Sequence, residues 1–494
     1  MRIILSRPMR LPALLCLAPA PRAPLAKMGF SLFGQSSSKL AAPRIADTAP
    51  SWDALRDHAF STATGARLAA EEQQRAEGGG PAHTDAKLRL FGTPESEVRV
   101  VLYRDSAAWC PYCQKVWMLL ELKQIPYRVE KINMRSYGDK PSWFLQKVRG
   151  GLLPVIELDG ELVTESLTIM QLLDREFKSG PQMVPPAGSA ERDRATALLA
   201  LERELFSWWC TLTFQPGKGM FDGNEKQFLQ CLERVDTALG SAAGPWFLGG
   251  DHPSLVDLQY ISHVERMLAS VAYWKGISIR ADGRFKNIET WLQAFEQMPC
   301  YIATKSDYYT HVMDIPPQYG PGFGVKEAAE FEARIGGKGD AWKLPLTLSA
   351  QALEPLAPLQ DVGTEAACHE AAFKLASNHV AVVRFAARGA GEEGTPRFQA
   401  PLADPYAKPN EALVPAVDTC LRHVASSLLV GVDQASDAAR ADVKMATDAE
   451  VAAIVSCLAY LRDRVGCPRD MGQAAAMYFR AHLNWMIDII SAKA

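Results

Sequence analysis

The sequence has few features of a disulfide-stabilised, nucleic-acid-binding or membrane-spanning protein. Its 494 residues include ten cysteines, of which only Cys110 and Cys113 stand close together, a distribution typical of a reducing compartment. The net charge is −3 and the basic residues are scattered, which disfavours a nucleic-acid partner. No segment after the first 46 residues approaches the length of a membrane span, so we expect no membrane partner.

Metal ligands are also scarce. No second cysteine pair lies at the spacing of a zinc site. The histidines of the C-terminal part have no ligand spacing either; these are His369, His379, His423 and His482. We therefore interpret them as surface or core residues and predict no metal site.

The first 46 residues contain no acid, and Asp47 is the first. They hold seven Lys or Arg among Ala, Pro, Leu and Ser, which is the composition of an organelle transit peptide. A secretory signal is the alternative, but it fits poorly with so many apparently free thiols.

Between Val98 and Lys178 the apolar pattern follows the order strand, helix, strand, helix, strand, strand, helix. The last two strands flank Asp159-Gly160, a dipeptide that favours a tight hairpin turn. A βαβ unit followed by a ββα unit is a thioredoxin-like arrangement.

A chain of this length is too long for one hydrophobic core, and roughly three domains are expected. We predict a transit peptide at 1–46, a flexible lead-in at 47–95, a thioredoxin-like domain at 96–180, an all-helical domain at 188–314, a linker at 315–340 and a mostly helical extension at 341–494. Capping boxes at Ser254 to Asp257 and Thr447 to Glu450 each predict the start of a helix. Within the extension, His379 to Ala386 is predicted as a strand.

Cys110-Pro111-Tyr112-Cys113 lies between the first strand and the first helix of the thioredoxin-like pattern. At the start of a helix, free amides and the helix dipole favour thiolate over thiol. Pro111 suits the first helical turn and leaves the amides of Tyr112 and Cys113 to face the Cys110 sulfur. We interpret Cys110 as a nucleophile and Cys113 as a thiol that can resolve a mixed disulfide on it.

Two further elements follow the cysteine motif. Leu153-Pro154 stands directly before a strand, where we expect a cis bond that leaves the Leu153 backbone free to pair with an extended peptide. Glu165 and Ser166 stand at a strand-to-helix junction. There an acid can pair with an ammonium group, while a hydroxyl and helix amides bind a carboxylate. An ordinary N-cap at Ser166 is the alternative.

With these motifs, residues 98 to 312 resemble a cytosolic-type glutathione transferase, in which a thioredoxin-like domain precedes a helical domain. The segment from Gly249 to Asp257 fits the same family. Cys-Pro-Tyr-Cys and Asp139 to Phe144 are similar to the cysteine-type classes, namely omega, lambda and dehydroascorbate reductase. The extension and the leader most resemble the iota class of photosynthetic organisms. We therefore predict a chloroplast location, with mitochondrion or cytoplasm as alternatives.

The resemblance implies that the protein binds glutathione. Glu165 and Ser166 would hold the γ-glutamyl end. Leu153, beside Pro154, would pair with the cysteinyl backbone, and Lys140 would meet the glycyl carboxylate. Cys110 would face the glutathione sulfur.

A cysteine in this position favours a mixed disulfide with glutathione. We therefore predict a glutathione-dependent thiol transferase or oxidoreductase acting on an electrophilic or disulfide small molecule, in deglutathionylation, disulfide reduction or dehydroascorbate reduction. The alternative is a non-catalytic, glutathione-dependent binder of a hydrophobic ligand or of an iron–sulfur cluster shared by two subunits through Cys110. The resemblance also allows a homodimer. The sequence departs from the family pattern at Val148 to Gly151, where related chains usually have Asn-Pro.

The helical domain would supply the pocket for the second substrate. The aromatic candidates are Trp208, Trp209, Tyr301, Tyr308 and Tyr309, although aromatic residues at helical spacing are more often core. The extension carries no comparable signal, and the sequence assigns it no activity.

Overall fold

The computed structural model describes residues 45–216, 223–280, 283–346, 353–356, 363–394 and 401–492. The predicted transit peptide at 1–46 therefore lies almost wholly outside the described residues. The described residues all belong to one compact unit. The domain boundaries given above consequently stay predictions.

A five-stranded sheet lies within the first half of the chain. Helices α1 (Trp52–Ser61) and α2 (Ala63–Ala76) precede it. The sheet region contains β1 (Leu88–Arg89), β2 (Val100–Asp105), α3 (Pro111–Leu122), β3 (Tyr127–Ile132), α4 (Ser142–Lys147), β4 (Val155–Leu158), β5 (Glu161–Thr164) and α5 (Ser166–Glu176). The strand order is β1-β3-β2-β4-β5, with β2 and β3 parallel and the other pairs antiparallel. This confirms the predicted thioredoxin-like fold.

The hairpin between β4 and β5 is the element that the sequence locates best. Asp159 has φ 52° and Gly160 has φ 89°, the two left-handed conformations that a two-residue hairpin turn requires. The register joins Leu158 to Glu161 and Val155 to Thr164. The strand ends are those predicted from the Asp-Gly signal.

A helical domain follows the sheet, as predicted. Its helices are α6 (Ala190–Phe214), α7 (Asn224–Gly240), α8 (Leu255–Lys275), α9 (Lys286–Glu296), α10 (Pro299–Ile302) and α11 (Tyr308–Tyr319). The predicted capping box begins α8, where the Asp257 carboxylate accepts from the Ser254 amide at 2.7 Å. Helix α8 is buried along nearly its whole length because it packs against α3, α6 and α11.

The described part of the extension is helical. It contains α12 (Ala329–Ile335), α13 (Gly363–Ser377), α14 (His379–Ala386), α15 (Val414–Val430), α16 (Val432–Val443), α17 (Asp448–Arg462) and α18 (Gln473–Ser491). The capping box predicted at Thr447 begins α17. Helices α13, α15, α17 and α18 surround a core of their own.

The prediction of a strand at His379 to Ala386 is wrong, because this segment is helix α14. Its β-branched residues favour a strand locally. In the structure Val383 and Ala386, three residues apart, are both buried where α14 packs against α15 and α17. Tertiary packing of one helical stripe therefore overrides the local preference.

The segment predicted as a flexible lead-in is ordered structure. Ser51 and Thr62 cap α1 and α2, and both helices pack against α13. The Phe60 and Phe373 rings lie 4.5 Å apart, and Trp52 Nε1 donates to Asp418 at 2.7 Å. The apolar partner that orders this segment thus belongs to the extension, far away in the sequence.

The predicted linker at 315–340 is also partly ordered, since it contains the end of α11, a 3₁₀ turn at Lys326–Ala328 and α12. Within the described residues, one helical stretch, Glu411–Val430, is long and apolar enough to span a membrane by length and composition alone. The expectation that no segment approaches such a length was therefore wrong. In the structure 67% of its apolar window is buried, and α15 within it packs against five other helices of the extension.

A buried ion pair joins the helical domain to the extension. Asp307 caps α11, and its Oδ2 accepts from Arg480 Nη1 of α18 at 2.6 Å, with both side chains 2% exposed. Arg480 Nη2 also donates to the Val465 carbonyl at 2.7 Å. Two of the three guanidinium nitrogens are thus bound by protein groups, while Nε is buried without a partner among the described residues.

Replacing Asp307 with alanine should strongly destabilise the protein, because Arg480 would stay buried without its carboxylate. Breaking one side of such a pair costs about 3–5 kcal/mol. The fall in the urea midpoint, followed by circular dichroism, measures this loss. The control is Glu411→Ala, which breaks the exposed pair with Arg384 and should cost about 1 kcal/mol or less. Equal midpoint shifts would contradict the assigned role of the buried pair.

Candidate active site

Cys110 is the N-cap of α3, and Pro111 occupies the first helical position. Cys110 is half-buried, Cys113 is 1% exposed, and both thiols are free. The Cys110 sulfur therefore lies at the positive end of a helix, which is the placement predicted from the motif.

The two thiols differ in acidity because one donates a hydrogen bond to the other. The hydrogen bond from Cys113 lowers the pKa of Cys110 below its usual value, aided by the amides of Cys113 and Tyr112 and opposed by burial. Burial, followed by the same hydrogen bond, raises the pKa of Cys113 well above its usual value. The pair thus consists of a partly accessible, more acidic thiol and a buried thiol that stays protonated.

Asp105, the last residue of β2, was missed by the sequence reasoning. It is fully buried, and its Oδ2 accepts from the Trp109 amide at 2.7 Å. One of its carboxylate oxygens, the Cys110 sulfur and the Cys113 sulfur all lie within 4.8 Å of one another. Asp105 Oδ1 is buried and has no hydrogen-bond partner. An acid that ends an apolar strand just before the cysteine motif was the signal for this residue.

The loop before Cys110 is held by a network from the helical domain. Trp109 Nε1 donates to His311 Nδ1 at 3.1 Å, and His311 Nε2 donates to Glu265 at 2.8 Å. Gln114 of α3 donates to the same carboxylate at 2.9 Å. Arg266 lies 4.7 Å from the Trp109 ring centroid and donates to the Trp109 carbonyl.

Burial keeps this network in one protonation state. It lowers the pKa of His311, so the imidazole is neutral and donates through Nε2. Although burial acts against it, the hydrogen bond from His311 lowers the pKa of Glu265 to about 2. The sequence did not indicate these residues, because Glu265 lies on the almost wholly buried α8 and His311 on a different helix, so no local pattern connects the two.

The sheet register brings the other predicted residues to the edge that carries Cys110. Tyr103 of β2 pairs with Val155 of β4, and Val155 pairs with Thr164 of β5. The residues before β4 and after β5 therefore stand beside the end of β2. These residues are Leu153, Pro154, Glu165 and Ser166. The Leu153-Pro154 bond is cis, as predicted.

Glu165 is the N-cap of α5, so the alternative of Ser166 as the N-cap is wrong. Glu165 is exposed and has φ 66°, a conformation that a non-glycine residue adopts only at a cost. Ser166 is half-buried. Neither side chain forms a hydrogen bond or ion pair with the residues that the structure describes. Both are thus available to a ligand.

Lys140 is half-buried and donates through Nζ to the Gly151 carbonyl. Burial lowers its pKa, while the nearby thiols of Cys113 and Cys110 act in the opposite direction. An ammonium group has three donors, so Lys140 can hold the loop that contains Gly151 and bind an anion at the same time.

Most of the predicted second-substrate aromatics belong to the core. Trp209, Tyr301, Tyr308 and Tyr309 are buried, and Trp208 is half-buried. A different aromatic cluster lies near Cys110 and stays partly exposed. Its members are Tyr112, Phe206, Phe214 and Tyr319, with Phe206 and Phe214 centred 6.2 Å and 5.7 Å from the Tyr319 ring.

The donor set does not fit an iron–sulfur cluster held within one chain. Asp105, Cys110 and Cys113 are the one group of three close candidate ligands found in the described residues, and only two of them are sulfur. Burial also keeps Cys113 protonated, whereas cluster ligands are thiolates. No finding supports the cluster shared between subunits, and we derive no step through it.

Alkylation of Cys110 should show the effect of Cys113 directly, since only the thiolate reacts. In the wild-type protein the rate should rise with pH to a plateau, with its midpoint below the usual thiol value. Cys113→Ala removes the donor and should raise the midpoint, whereas Cys113→Ser should shift it less. Iodoacetamide labelling with peptide mass mapping measures both. Cys210, whose pKa burial raises to about 12, is the internal control. An unchanged midpoint in Cys113→Ala would contradict the assigned hydrogen bond.

Known proteins match the part of the chain that carries this site. The family model of the glutathione S-transferase N-terminal domain matches residues 109–176, and that of the C-terminal domain matches 218–294. Glutathione S-transferase DHAR2 of Arabidopsis thaliana is 29% identical over 170 residues, covering 34% of this chain and 72% of the relative. Mouse glutathione S-transferase omega-1 is 26% identical over 222 residues, covering 44% and 84%. Chloroplastic DHAR3 of Arabidopsis thaliana is 27% identical over 170 residues, covering 34% and 59%.

These alignments cover less than half of the chain. The assignment to the iota class, which depends on the extension and the leader, therefore stays a prediction. Both family domains are nevertheless present in their usual order, and the relatives include an omega-class protein. Residues 109–294 therefore carry the N- and C-terminal domains of glutathione S-transferases, and the relatives are consistent with the cysteine-type classes of that family.

Proposed function

We propose that the protein is a glutathione-dependent thiol transferase that removes glutathione from mixed disulfides, reduces small disulfides and reduces dehydroascorbate. The observation that carries the proposal is the half-buried Cys110 at the start of α3, with its pKa lowered by Cys113. A cysteine thiolate forms disulfides with glutathione, which a hydroxyl in the same place could not do. Relatives named DHAR and omega-1 support the same class of activity.

Glutathione would bind along the sheet edge beside Cys110. The Glu165 carboxylate would pair with its ammonium group, and Ser166 with the amides of α5 would hold the γ-glutamyl carboxylate. The Leu153 backbone would pair with the cysteinyl residue, and Lys140 would attract the glycyl carboxylate. The support is that Glu165 and Ser166 have no partner among the described residues and face this edge through the register.

The proposed chemistry exchanges one disulfide for another. The Cys110 thiolate attacks the glutathionyl sulfur of a mixed disulfide, forms a Cys110–glutathione disulfide and releases the second thiol as a thiolate, which takes a proton from water. A second glutathione thiolate then attacks the glutathionyl sulfur. This step releases oxidised glutathione and restores the Cys110 thiolate.

Cys113 offers a second way to release glutathione. After losing its proton, it would attack the Cys110 sulfur, form a Cys110–Cys113 disulfide and release glutathione as a thiolate. Asp105 is the proposed acceptor of that proton, because its carboxylate lies within 4.8 Å of the Cys113 sulfur and one oxygen is unpartnered. Two glutathione molecules would then reduce the disulfide and leave as oxidised glutathione.

The second substrate would lie against the partly exposed aromatic cluster near Cys110. Tyr112 and Tyr319 are close enough for the Cys110 charge to raise their pKa values, after the larger effect of burial. Apolar rings favour the organic part of a disulfide or an electrophile. The chloroplast location stays a proposal that rests on the leader and on the chloroplastic relative, and the homodimer stays a prediction.

Replacement of Cys110 should separate catalysis from binding. Cys110→Ser should abolish hydroxyethyl disulfide reduction but still bind glutathione by calorimetry, because the binding groups stay in place. After incubation with oxidised glutathione, the wild-type protein should gain one glutathionyl mass on the peptide with Cys110. Cys300→Ser, which changes a buried thiol, is the matched control. Full activity in Cys110→Ser would disprove the nucleophile, and absent glutathione binding in the wild type would disprove the function.

Asp105→Asn should slow the release of glutathione from a preformed Cys110 adduct by about 10²-fold, the range of general base catalysis. Asparagine can still accept from the Trp109 amide, so the loop should keep its shape. Quench-flow measurement of released glutathione tests this. In a Cys113→Ser background the same substitution should change the rate little. An equal loss in both backgrounds would show that Asp105 acts only through structure.

A further inference from the structure

A cavity of about 340 Å³ lies where the extension meets the segment after β3. Its wall includes Arg135 and Ser136 from the thioredoxin-like domain and Arg388, Asp404, Tyr460 and Arg464 from the extension. The cavity is in the size range of small-molecule sites. None of its lining residues belongs to the proposed glutathione site.

Two arginines in this wall have no carboxylate partner. Arg388 Nη1 donates to the backbone carbonyl of Asp404 at 2.9 Å, and the Tyr460 hydroxyl is buried without a hydrogen-bond partner among the described residues. Arg464 Nη1 donates to the Tyr460 carbonyl at 3.3 Å, and its Nε is buried without a partner. Neither arginine takes part in an ion pair within the described ranges.

An unpaired, half-buried guanidinium is unusual, because it loses hydration without gaining an opposite charge. The acids in the wall are the exposed Glu393 and the half-buried Asp404. Neither acid forms an ion pair with Arg388 or Arg464 in the part of the chain that the structure describes. The charge of these two arginines is therefore not neutralised by direct contact with an acid of the wall.

We infer that this cavity binds a small organic anion, through a carboxylate or a phosphate group. The guanidinium fork matches both groups in two parallel hydrogen bonds. The Tyr460 ring, whose centroid lies 3.6 Å from the Arg464 guanidinium carbon, holds that fork in place and offers an apolar surface beside it. A ligand here would contact the thioredoxin-like domain and the extension together, which gives the extension a binding role.

Calorimetric titration of the full chain, saturated with glutathione and at constant ionic strength, tests this site. Citrate is the carboxylate probe and pyrophosphate is the phosphate probe. At least one should give saturable binding of one molecule per chain. The double variant Arg388→Gln with Arg464→Gln should weaken that binding at least tenfold. The variant Arg388→Lys with Arg464→Lys keeps the charge but loses the planar guanidinium. Its affinity for the probe should therefore lie between those of the wild type and the double Gln variant.

Arg384→Gln is the matched control, because Arg384 lies on α14, shortly before Arg388 in the chain, but does not line the cavity, is exposed and pairs with Glu411 at 2.6 Å. It should bind the probes as the wild type does. The inference is overturned if neither probe binds at millimolar concentration, if the double Gln variant binds undiminished, or if Arg384→Gln weakens binding equally. Should circular dichroism show the Gln variant unfolded, undiminished binding by the Lys variant overturns the inference.

Discussion

A single buried carboxylate, Glu265, fixes the position of the loop that leads into Cys110. Burying a charge is costly unless hydrogen bonds replace its hydration. Donors from Gln114 of α3, His311 of α11 and the Ser306 backbone supply those bonds. Gln114 belongs to the thioredoxin-like domain, whereas Ser306 and His311 lie at the start of α11 in the helical domain. The hydrogen bonds to Glu265 therefore orient the cysteine loop on the helical domain. The geometry of Cys110 is therefore not a property of the thioredoxin-like domain alone.

The asymmetry of the two thiols follows from this placement. Arg266 and His311 hold Trp109, the residue before Cys110, from the side of the helical domain. With the loop fixed there, Cys110 keeps partial access to solvent and Cys113 faces the interior. One hydrogen bond between them then makes the outer thiol more acidic and the inner thiol less so. The fold thus makes Cys110 the more acidic of the two thiols before any substrate binds.

Features set by neighbours in sequence were predictable, and features set by distant contacts were not. The Asp159-Gly160 hairpin and the capping box at Ser254 depend on a few adjacent residues, and both were located correctly. Helix α14 was mistaken for a strand because its packing partners are remote. In the site, the cysteine motif and Leu153-Pro154 could be recognised from the sequence alone. Glu265 and His311 were not, because their roles exist only once three elements meet.

The packing of α1 and α2 against the extension has a consequence for the order of folding during synthesis. Trp52 donates its hydrogen bond to Asp418, a residue 366 positions later in the chain. Helices of 10 and 14 residues are marginal alone in water. Helices α1 and α2, the first helices of the described part of the chain, must therefore wait, with Leu55 and Phe60 uncovered, until α13 and α15 have been translated. Among the described residues, the segment that is synthesised first is therefore one of the last to pack. Its packing connects the N-terminal end of the described structure to the extension.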